Sequence, residues 1–369
     1  MRIGMMLRPL DEKGGIGVYT QNMLKELLAI DRKNHYVLFY RNPVHLGSYS
    51  HYKNVTERVV RAPNKALWDQ LAIPYACWKE KIDLVFHTKF TAPLLAPCKA
   101  VMVFHGADWF IPEHAKFYKG LDVRYIKMMM PLYCKKCCTI LSVSQITTDN
   151  FVKILNLPPE KVKTVYFGPG KHFKRIEEAE KLKDVKEKYQ LPDQFILTLS
   201  GYDRGTRKNI DRILEAYRLF HGKTEHKLVI GGKDCYKFMA DYQVPSDGYG
   251  KDILFPGWID QKDLPAIYSL ASLYLYPSNV EAFPIPLTEA MTCGTPVITS
   301  NLNGLKEIAD DGALFVDADN PQEIADALEK VLTNPELQNE LGQKGLNRSK
   351  VFSWEKCARE TLGYLESAK

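Results

Sequence analysis

The stretch Ser278-Asn-Val-Glu281-Ala-Phe-Pro-Ile-Pro-Leu-Thr-Glu289-Ala-Met-Thr-Cys-Gly294-Thr-Pro-Val-Ile298 reads as a loop, a helix and the opening of a strand. The run before it, Leu273-Tyr-Leu-Tyr276, is apolar and β-prone, and Pro296-Val-Ile-Thr299 is a second such run. The helix between them begins near Ile285 and is stopped by Gly294. Strand, loop, helix and strand together form the repeating unit of a parallel sheet covered by helices. Glu281 falls on the loop and Glu289 in the early turns of the helix. Between them a helix N-terminus offers unpaired N–H groups and the positive end of a dipole, which suits a diphosphate. Flanking carboxylates can accept hydrogen bonds from sugar and ribose hydroxyls. Phe283 and Ile285 lie in the same stretch and belong with this binding set.

The same alternation extends in both directions. Before the linker, strands are expected at Ile3–Leu7, Tyr36–Tyr40, Val55–Val60, Leu84–Phe86, Ala100–Phe104 and Ile140–Val143, with helices at Gly17–Ile30 and Leu67–Lys79. Gly168-Pro169-Gly170 breaks the chain, and the Lys- and Glu-rich run from Lys171 to Lys188 reads as a linker entering a solvated helix. Alternation then resumes with Phe195–Leu199, Ile210–Phe220, Lys227–Ile230 and Ile253–Phe255, and ends with helices at Pro321–Leu332, Pro335–Arg348 and from Ser353, an N-cap. A chain of 369 residues exceeds one ordinary core. The expected organisation is α/β: two Rossmann-like doubly wound domains, 1–170 and 171–352, with a final segment, 353–369.

Composition is that of a folded globular protein, 45% hydrophobic and 25% charged. No apolar run is long enough to span a bilayer, and the N-terminal strand, broken by Arg8 and Pro9, is too short for a signal peptide. A cytoplasmic location is the expectation. The eight cysteines lack the spacing of a disulfide scaffold, and Cys134-Lys-Lys-Cys137 has no second ligand pair, so reduced thiols and no metal are expected. Residues 1–170 hold 24 Lys and Arg against 13 Asp and Glu, while the remainder holds 26 against 31. A basic first half suits an anionic partner. No recognition motif accompanies the charge, which argues against nucleic acid.

Three further motifs carry chemistry. Ser200-Gly201-Tyr-Asp-Arg204-Gly-Thr-Arg207-Lys208-Asn209 puts a glycine turn and cations where a strand ends and a helix begins, fit to neutralise charge on a leaving diphosphate. Gly14-Gly15-Ile-Gly17 follows the first strand and lets backbone approach a ligand closely. Phe104-His105-Gly-Ala-Asp108 places a histidine at a strand's carboxyl end, and Ser144 ends the strand after that. A lone histidine in such a place is more often structural than functional.

The E-x₇-E block with Glu289-Ala-Met-Thr-Cys-Gly-Thr-Pro-Val-Ile298 resembles the retaining glycosyltransferase family 4, and the likeness runs through nearly the whole chain. Ala282 and Pro284 stand where members often carry glycine. The resemblance implies a GT-B fold with the two domains facing across a cleft, the donor mainly on the second and the acceptor mainly on the first, and the last helix crossing back to the first domain. It implies that Glu281 approaches the donor sugar, Glu289 the ribose, and Lys208 with an arginine the diphosphate; Arg204 is assigned to that arginine, with Arg207 the alternative. It implies His105 near the donor sugar and the Gly15–Gly17 loop facing the phosphates. Retention of configuration without a metal or other cofactor follows from the same likeness.

The function expected is therefore hexose transfer from a nucleotide diphosphate-sugar to a glycan or lipid-linked acceptor. The stretch from Gly294, with Gly312-Ala-Leu-Phe-Val-Asp317, is similar to bacterial polysaccharide mannosyltransferases, which makes GDP-mannose the first donor and UDP-glucose or another UDP-hexose the alternative. A non-transferring enzyme of the same fold, such as an epimerase or phosphorylase, and a non-catalytic sugar-nucleotide-binding protein are the rival classes. Residues 114–136 interleave Lys116, Lys119, Arg124, Lys127, Lys135 and Lys136 with aromatic and Met side chains, as either an anionic-membrane surface or an ordinary core-facing stripe would.

Overall fold

The computed structural model describes residues 1–12, 14–107, 109–112, 120–202 and 207–368. The chain divides into two units, Met1–Phe167 with Ser353–Lys369, and Gly168–Phe352. The doubly wound α/β architecture expected from the sequence is present in both.

In the first unit seven strands are β1 (Arg2–Met6), β2 (His35–Tyr40), β3 (Val55–Val59), β4 (Leu84–His87), β5 (Lys99–Phe104), β6 (Cys137–Ser142) and β7 (Val162–Thr164). They pair in parallel in the order β3-β2-β1-β4-β5-β6-β7. Helices cover both faces, so the central strands are apolar at almost every position; all four residues of β4 are buried. The Trp354–Ser367 helix packs on the Gly15–Ile30 helix. Trp354 lies 4.8 Å from Phe167 and 5.5 Å from Tyr19, and Ser353 caps the helix by accepting the Lys356 N–H at 3.1 Å.

The second unit holds β8 (Phe195–Leu199), β9 (Lys227–Gly231), β10 (Ile253–Gly257), β11 (Leu273–Tyr276), β12 (Val297–Ser300) and β13 (Leu314–Val316), all parallel in the order β10-β9-β8-β11-β12-β13. Ile213, Leu214, Tyr217 and Phe220 recur at helical spacing on the Ile210–Phe220 helix and meet Ile324, Leu328 and Val331 of the Pro321–Leu332 helix in one core. In each sheet the order reverses once, at β1/β4 and at β8/β11. Open α/β sheets bind ligands beyond the carboxyl ends of strands at such reversals.

Some elements escaped the sequence reading. β7 and β13 are three residues each, too short to show a period. The Gln145–Leu155 helix turns Thr147 and Thr148 inward, where Thr148 and Thr164 share a 2.7 Å hydrogen bond, so its buried face is not apolar in sequence. Ser144 is the fully buried N-cap of that helix, with its Oγ 2.8 Å from the Thr147 hydroxyl. Of the 114–136 stretch, residues 114–119 lie outside the described residues; the Gly120–Lys136 helix sends Met130, Tyr133 and Cys134 into the core and leaves Tyr125, Met128 and Leu132 exposed. All eight cysteines are unbridged. Among the described residues no helix is long and apolar enough to cross a membrane.

Gly232 fixes the register between strand ends. It donates to the Gly257 carbonyl at 2.8 Å with φ +152°, and a Cβ there would stand 2.2 Å from the Ser200 carbonyl oxygen. Gly232→Ala should therefore cost on the order of 2 kcal/mol. Calorimetry should show the transition of this unit moved down by several degrees; an unshifted transition would mean that the close approach is not maintained in solution.

Candidate functional site

A polar cluster stands at the carboxyl ends of β8 and β11. After Tyr276 the chain runs through Ser278 and Asn279 to Glu281, and this loop is tied down at every step. Thr299 Oγ1 donates to the Tyr276 carbonyl at 2.8 Å, and Ser300 Oγ to the Ser278 carbonyl at 2.6 Å. The Asn279 N–H donates to the Arg207 carbonyl at 3.0 Å, and Arg207 Nη2 donates back to the Val280 carbonyl at 3.2 Å. Asn209 sits in the left-handed region at φ 61°, which asparagine tolerates, and its amide donates to the Ala318 carbonyl at 2.6 Å. The segment carrying Arg207 and Lys208 is thereby fastened to the loop carrying Glu281.

Glu281 Oε1 collects three donors: Lys208 Nζ at 2.5 Å, the Tyr276 hydroxyl at 2.7 Å and Ser278 Oγ at 3.1 Å. Ser278 has a single hydroxyl proton, which the Arg207 carbonyl at 3.0 Å also attracts. Lys208 reaches the Tyr276 hydroxyl as well, and its ammonium lies 4.3 Å from the centre of the Tyr276 ring. Burial raises the Glu281 carboxyl, but Lys208 and Arg207, with the Lys208 and Tyr276 hydrogen bonds, outweigh it and hold its pKa below the ordinary value. Glu281 is thus a buried carboxylate that stays ionised.

Glu289 behaves oppositely. It is buried on the Ile285–Thr292 helix, and the Tyr268 hydroxyl donates to it at 3.2 Å. Burial pushes its pKa up to about 8, against the smaller lowering by Tyr268. Two carboxyls on one strand–loop–helix unit are thus held in different protonation states at neutral pH. At the head of the helix Pro284 and Pro286 carry no N–H, so the amides of Ile285 and Leu287 are those the first turn can present. The Phe283 side chain is buried edge-on to Phe352 at 5.6 Å.

Ser200 closes β8: its N–H donates to the Gly231 carbonyl at 2.9 Å and its Oγ to the Gly201 carbonyl at 3.1 Å. Arg204 lies outside the described residues, and Arg207 is the arginine that the structure brings to the Glu281 loop. A cavity of about 150 Å³, lined in part by Arg175, Ser272, Gly294 and Pro296, opens at the amino ends of β11 and β12, the opposite end of the sheet from this cluster.

In the first unit, the sites picked from sequence gather at the β1/β4 reversal. Gly15 begins the Gly15–Ile30 helix, and a Cβ at Gly17 would stand 2.2 Å from the Glu12 carbonyl oxygen, so only glycine fits there. His105 lies just beyond β5, with Nε2 2.8 Å from the Thr88 carbonyl and the Tyr19 ring edge-on at 4.8 Å. Burial pushes its pKa down to about 4, so the ring is neutral, Nε2–H donates to Thr88 and Nδ1 keeps its lone pair. Asp108 lies outside the described residues.

Sequence reasoning missed what steadies this loop. Arg8, buried beyond β1, donates to both oxygens of buried Asp69 at 3.2 and 3.0 Å and to Glu12 at 3.2 Å, while Lys89 beyond β4 holds both Glu12 oxygens at 2.7 Å. Burial raises Glu12, but Lys89, Arg8 and Lys65 bring it below the ordinary value. Burial, and then Arg8 and Lys65, lower the Lys89 pKa against the opposing pull of Glu12, whose two oxygens it holds at 2.7 Å. The sequence signal was positional and partial: Arg8 and Lys89 follow strands and Glu12 precedes a helix, whereas Asp69 lies inside the 65–79 helical run.

Glu289 makes a testable contribution to stability. Its folded value of about 8 lies above the 4.5 ordinary for a glutamate in an unfolded chain. Between these values the unfolded chain has lost a proton that the folded chain keeps, so the contribution falls as pH rises through that window and levels off above it. Glu289→Gln should give a flatter profile of melting temperature from about pH 5 to 8 and a relative gain at the alkaline end. Parallel profiles for the two proteins would mean that Glu289 is already ionised when folded.

The family model described as Glycosyltransferase Family 4 matches residues 13–168, and the one described as Glycosyl transferases group 1 matches residues 182–348. O-antigen chain mannosyltransferase B of Escherichia coli is 29% identical over 268 residues, covering 72% of this chain and 69% of that protein. The serotype-specific mannosyltransferase WbdA of Escherichia coli is 30% identical over 280 residues, which are 71% of this chain and 32% of WbdA's length. Among solved structures, Anabaena Alr3699/HepE in complex with UDP-glucose matches the full length of both chains with a TM-score of 0.78 at 16% identity, a likeness of fold. With one model on each unit and the fold shared from end to end, the chain belongs to glycosyltransferase family 4 and is a glycosyltransferase of the GT-B fold.

Proposed function

We propose that the chain moves a hexose from a nucleotide diphosphate-sugar to a glycan or lipid-linked acceptor with retention of configuration, and that GDP-mannose is the donor. The observation that carries this reading is the Lys208–Glu281–Tyr276 cluster beside Arg207, at the carboxyl ends of β8 and β11. The mannosyltransferase names of the relatives at 29% and 30% identity support mannose.

Each residue has a part in the step. An acceptor hydroxyl oxygen bonds to the anomeric carbon as that carbon's bond to the diphosphate oxygen breaks, on the same face of the sugar. The hydroxyl proton passes to the departing diphosphate, and no enzymic nucleophile is invoked. Lys208 and Arg207, with Arg204 from the sequence, carry the charge that develops on the leaving group, the task a metal performs in other transferases, so transfer should proceed without one. Ionised Glu281 accepts hydrogen bonds from hydroxyls of the sugar. Neutral Glu289 can both donate to and accept from the ribose hydroxyls. Gly201 and Ser200 keep the β8 turn low beneath the phosphates. In the first unit, His105 Nδ1 can accept one hydrogen bond from a sugar hydroxyl, and the Gly15–Gly17 loop can approach an anion closely.

The test is thermal stability against GDP, GDP-mannose, UDP and UDP-glucose with a chelator present, followed by transfer assays. GDP and GDP-mannose should raise the melting temperature, and Lys208→Ala should abolish the rise and lower kcat/KM by about 10²–10³-fold. A rise with UDP compounds alone would overturn the mannose donor and leave the transferase site standing. A rise that requires a divalent ion, or an inverted product anomer, would overturn the mechanism.

A further inference from the structure

The helical run at residues 65–79 has two apolar faces. Its middle, Trp68–Ala72, is wound as a π-helix just before Pro74, whose missing N–H favours the wider turn. Trp68, Ile73 and Cys77 are buried in the core of the first unit. Leu67, Leu71, Tyr75 and Trp78 recur every three or four residues on another face and are exposed, Trp78 by 65%. Two neighbouring elements extend this face: Leu95 is 69% exposed, and Met128 of the Gly120–Lys136 helix is 64% exposed, with Leu132 a turn further on.

Hydrogen bonds hold the three elements side by side. Gln70 donates to the Ala92 carbonyl at 3.0 Å and accepts the Leu94 N–H at 3.0 Å. It also lies 3.5 Å from the Tyr133 hydroxyl, which is 3.1 Å from that of Tyr125. Lys136 Nζ donates to the Ala96 carbonyl at 2.7 Å. Right-handed crossovers put the β3-to-β4 and β5-to-β6 connections on the side of the sheet opposite the Gly15–Ile30 and Trp354–Ser367 helices.

Charge decides what this face can meet. The same elements and the turns that end them carry Lys79, Lys81, Lys99, Arg124, Lys127 and Lys135, all exposed and none with an ion-pair partner among the described residues. Among the described residues of these elements the exposed acids are Asp83 and Asp122. Protein interfaces are depleted in lysine, and a two-fold self-contact would set these cations against their own copies. Exposed Trp and Tyr with leucine and methionine, on elements that also carry unpaired exposed lysines, suit a bilayer interface, where aromatic rings sit at headgroup level and cations meet lipid phosphate.

We infer that this face docks the first unit on an anionic phospholipid surface, with Tyr75, Trp78, Leu95 and Met128 entering the interface and Lys79, Lys127 and Lys135 meeting headgroups. The inference extends the transferase reading and does not depend on which nucleotide is the donor. The experiment is co-sedimentation of the full chain with vesicles of phosphatidylcholine alone and with about 30 mol% phosphatidylglycerol. Binding should need the anionic lipid and weaken at high salt. Tyr75→Ser with Trp78→Ser should lower the partition coefficient at least tenfold, and Lys127→Glu with Lys135→Glu by at least about 25-fold, about fivefold for each cation lost. Val351→Ser, an exposed apolar change in the other unit, should leave it unchanged. Unchanged melting and nucleotide response will show that the variants are folded. Absence of binding to anionic vesicles, equal binding by the Trp78 variant, or a dimer in solution that the Trp78 variant dissolves would each overturn the proposal; loss of nucleotide response in the parent chain would instead count against the donor site.

Discussion

A carboxylate cannot be buried ionised unless cations and hydrogen-bond donors accompany it. Glu281 meets that requirement through Lys208, Tyr276 and Ser278, and the rest of the second unit serves to bring those four groups together. Lys208 comes from beyond β8, Tyr276 from the last position of β11, and Ser278 and Glu281 from the loop that follows. Strand order makes these segments neighbours although Lys208 and Glu281 are 73 residues apart. The hydrogen bonds from Thr299 and Ser300 extend the anchoring to β12. Removing Lys208 would leave the buried Glu281 charge to Arg207 and two hydroxyl donors, which is why the cluster is better regarded as one unit than as a set of contacts.

The two glutamates of a single motif show how environment divides labour between like groups. Glu281 lies where two cations converge, and Glu289 lies one helix turn deeper against tyrosines. One is an acceptor only, and the other carries a proton it can donate. On the first unit, His105 is fixed in one tautomer by the Thr88 carbonyl, so its chemistry too is set by a backbone neighbour.

Much of this was legible in the sequence because parallel sheets covered on both faces write themselves as regular apolar runs. The strand–loop–helix at Glu281, the glycine turn at Ser200 and the strand end at His105 were visible for that reason. What stayed hidden were groups whose role depends on a partner far along the chain. Tyr276 and Tyr268 look like core aromatics until Glu281 and Glu289 are placed beside them. Arg8 and Asp69 are 61 residues apart, and nothing local announces their pairing. The face with Leu71, Tyr75 and Trp78 was masked by its helix being apolar on two sides, since spacing alone does not tell which of two stripes is buried.

The prolines at 284 and 286 have a consequence for selectivity. A full set of backbone amides would grip a diphosphate in one orientation, because each N–H is a directed donor on a rigid frame. Here every second residue at the head of the Ile285–Thr292 helix lacks that donor, and on the proposed reading the burden would pass to the side-chain cations of Lys208 and Arg207. Lysine behaves as a point charge and imposes little geometry of its own. A diphosphate held in this way would be recognised by its valence more than by its conformation, and fidelity toward one donor would then have to be written at the two ends of the molecule, the sugar and the nucleoside.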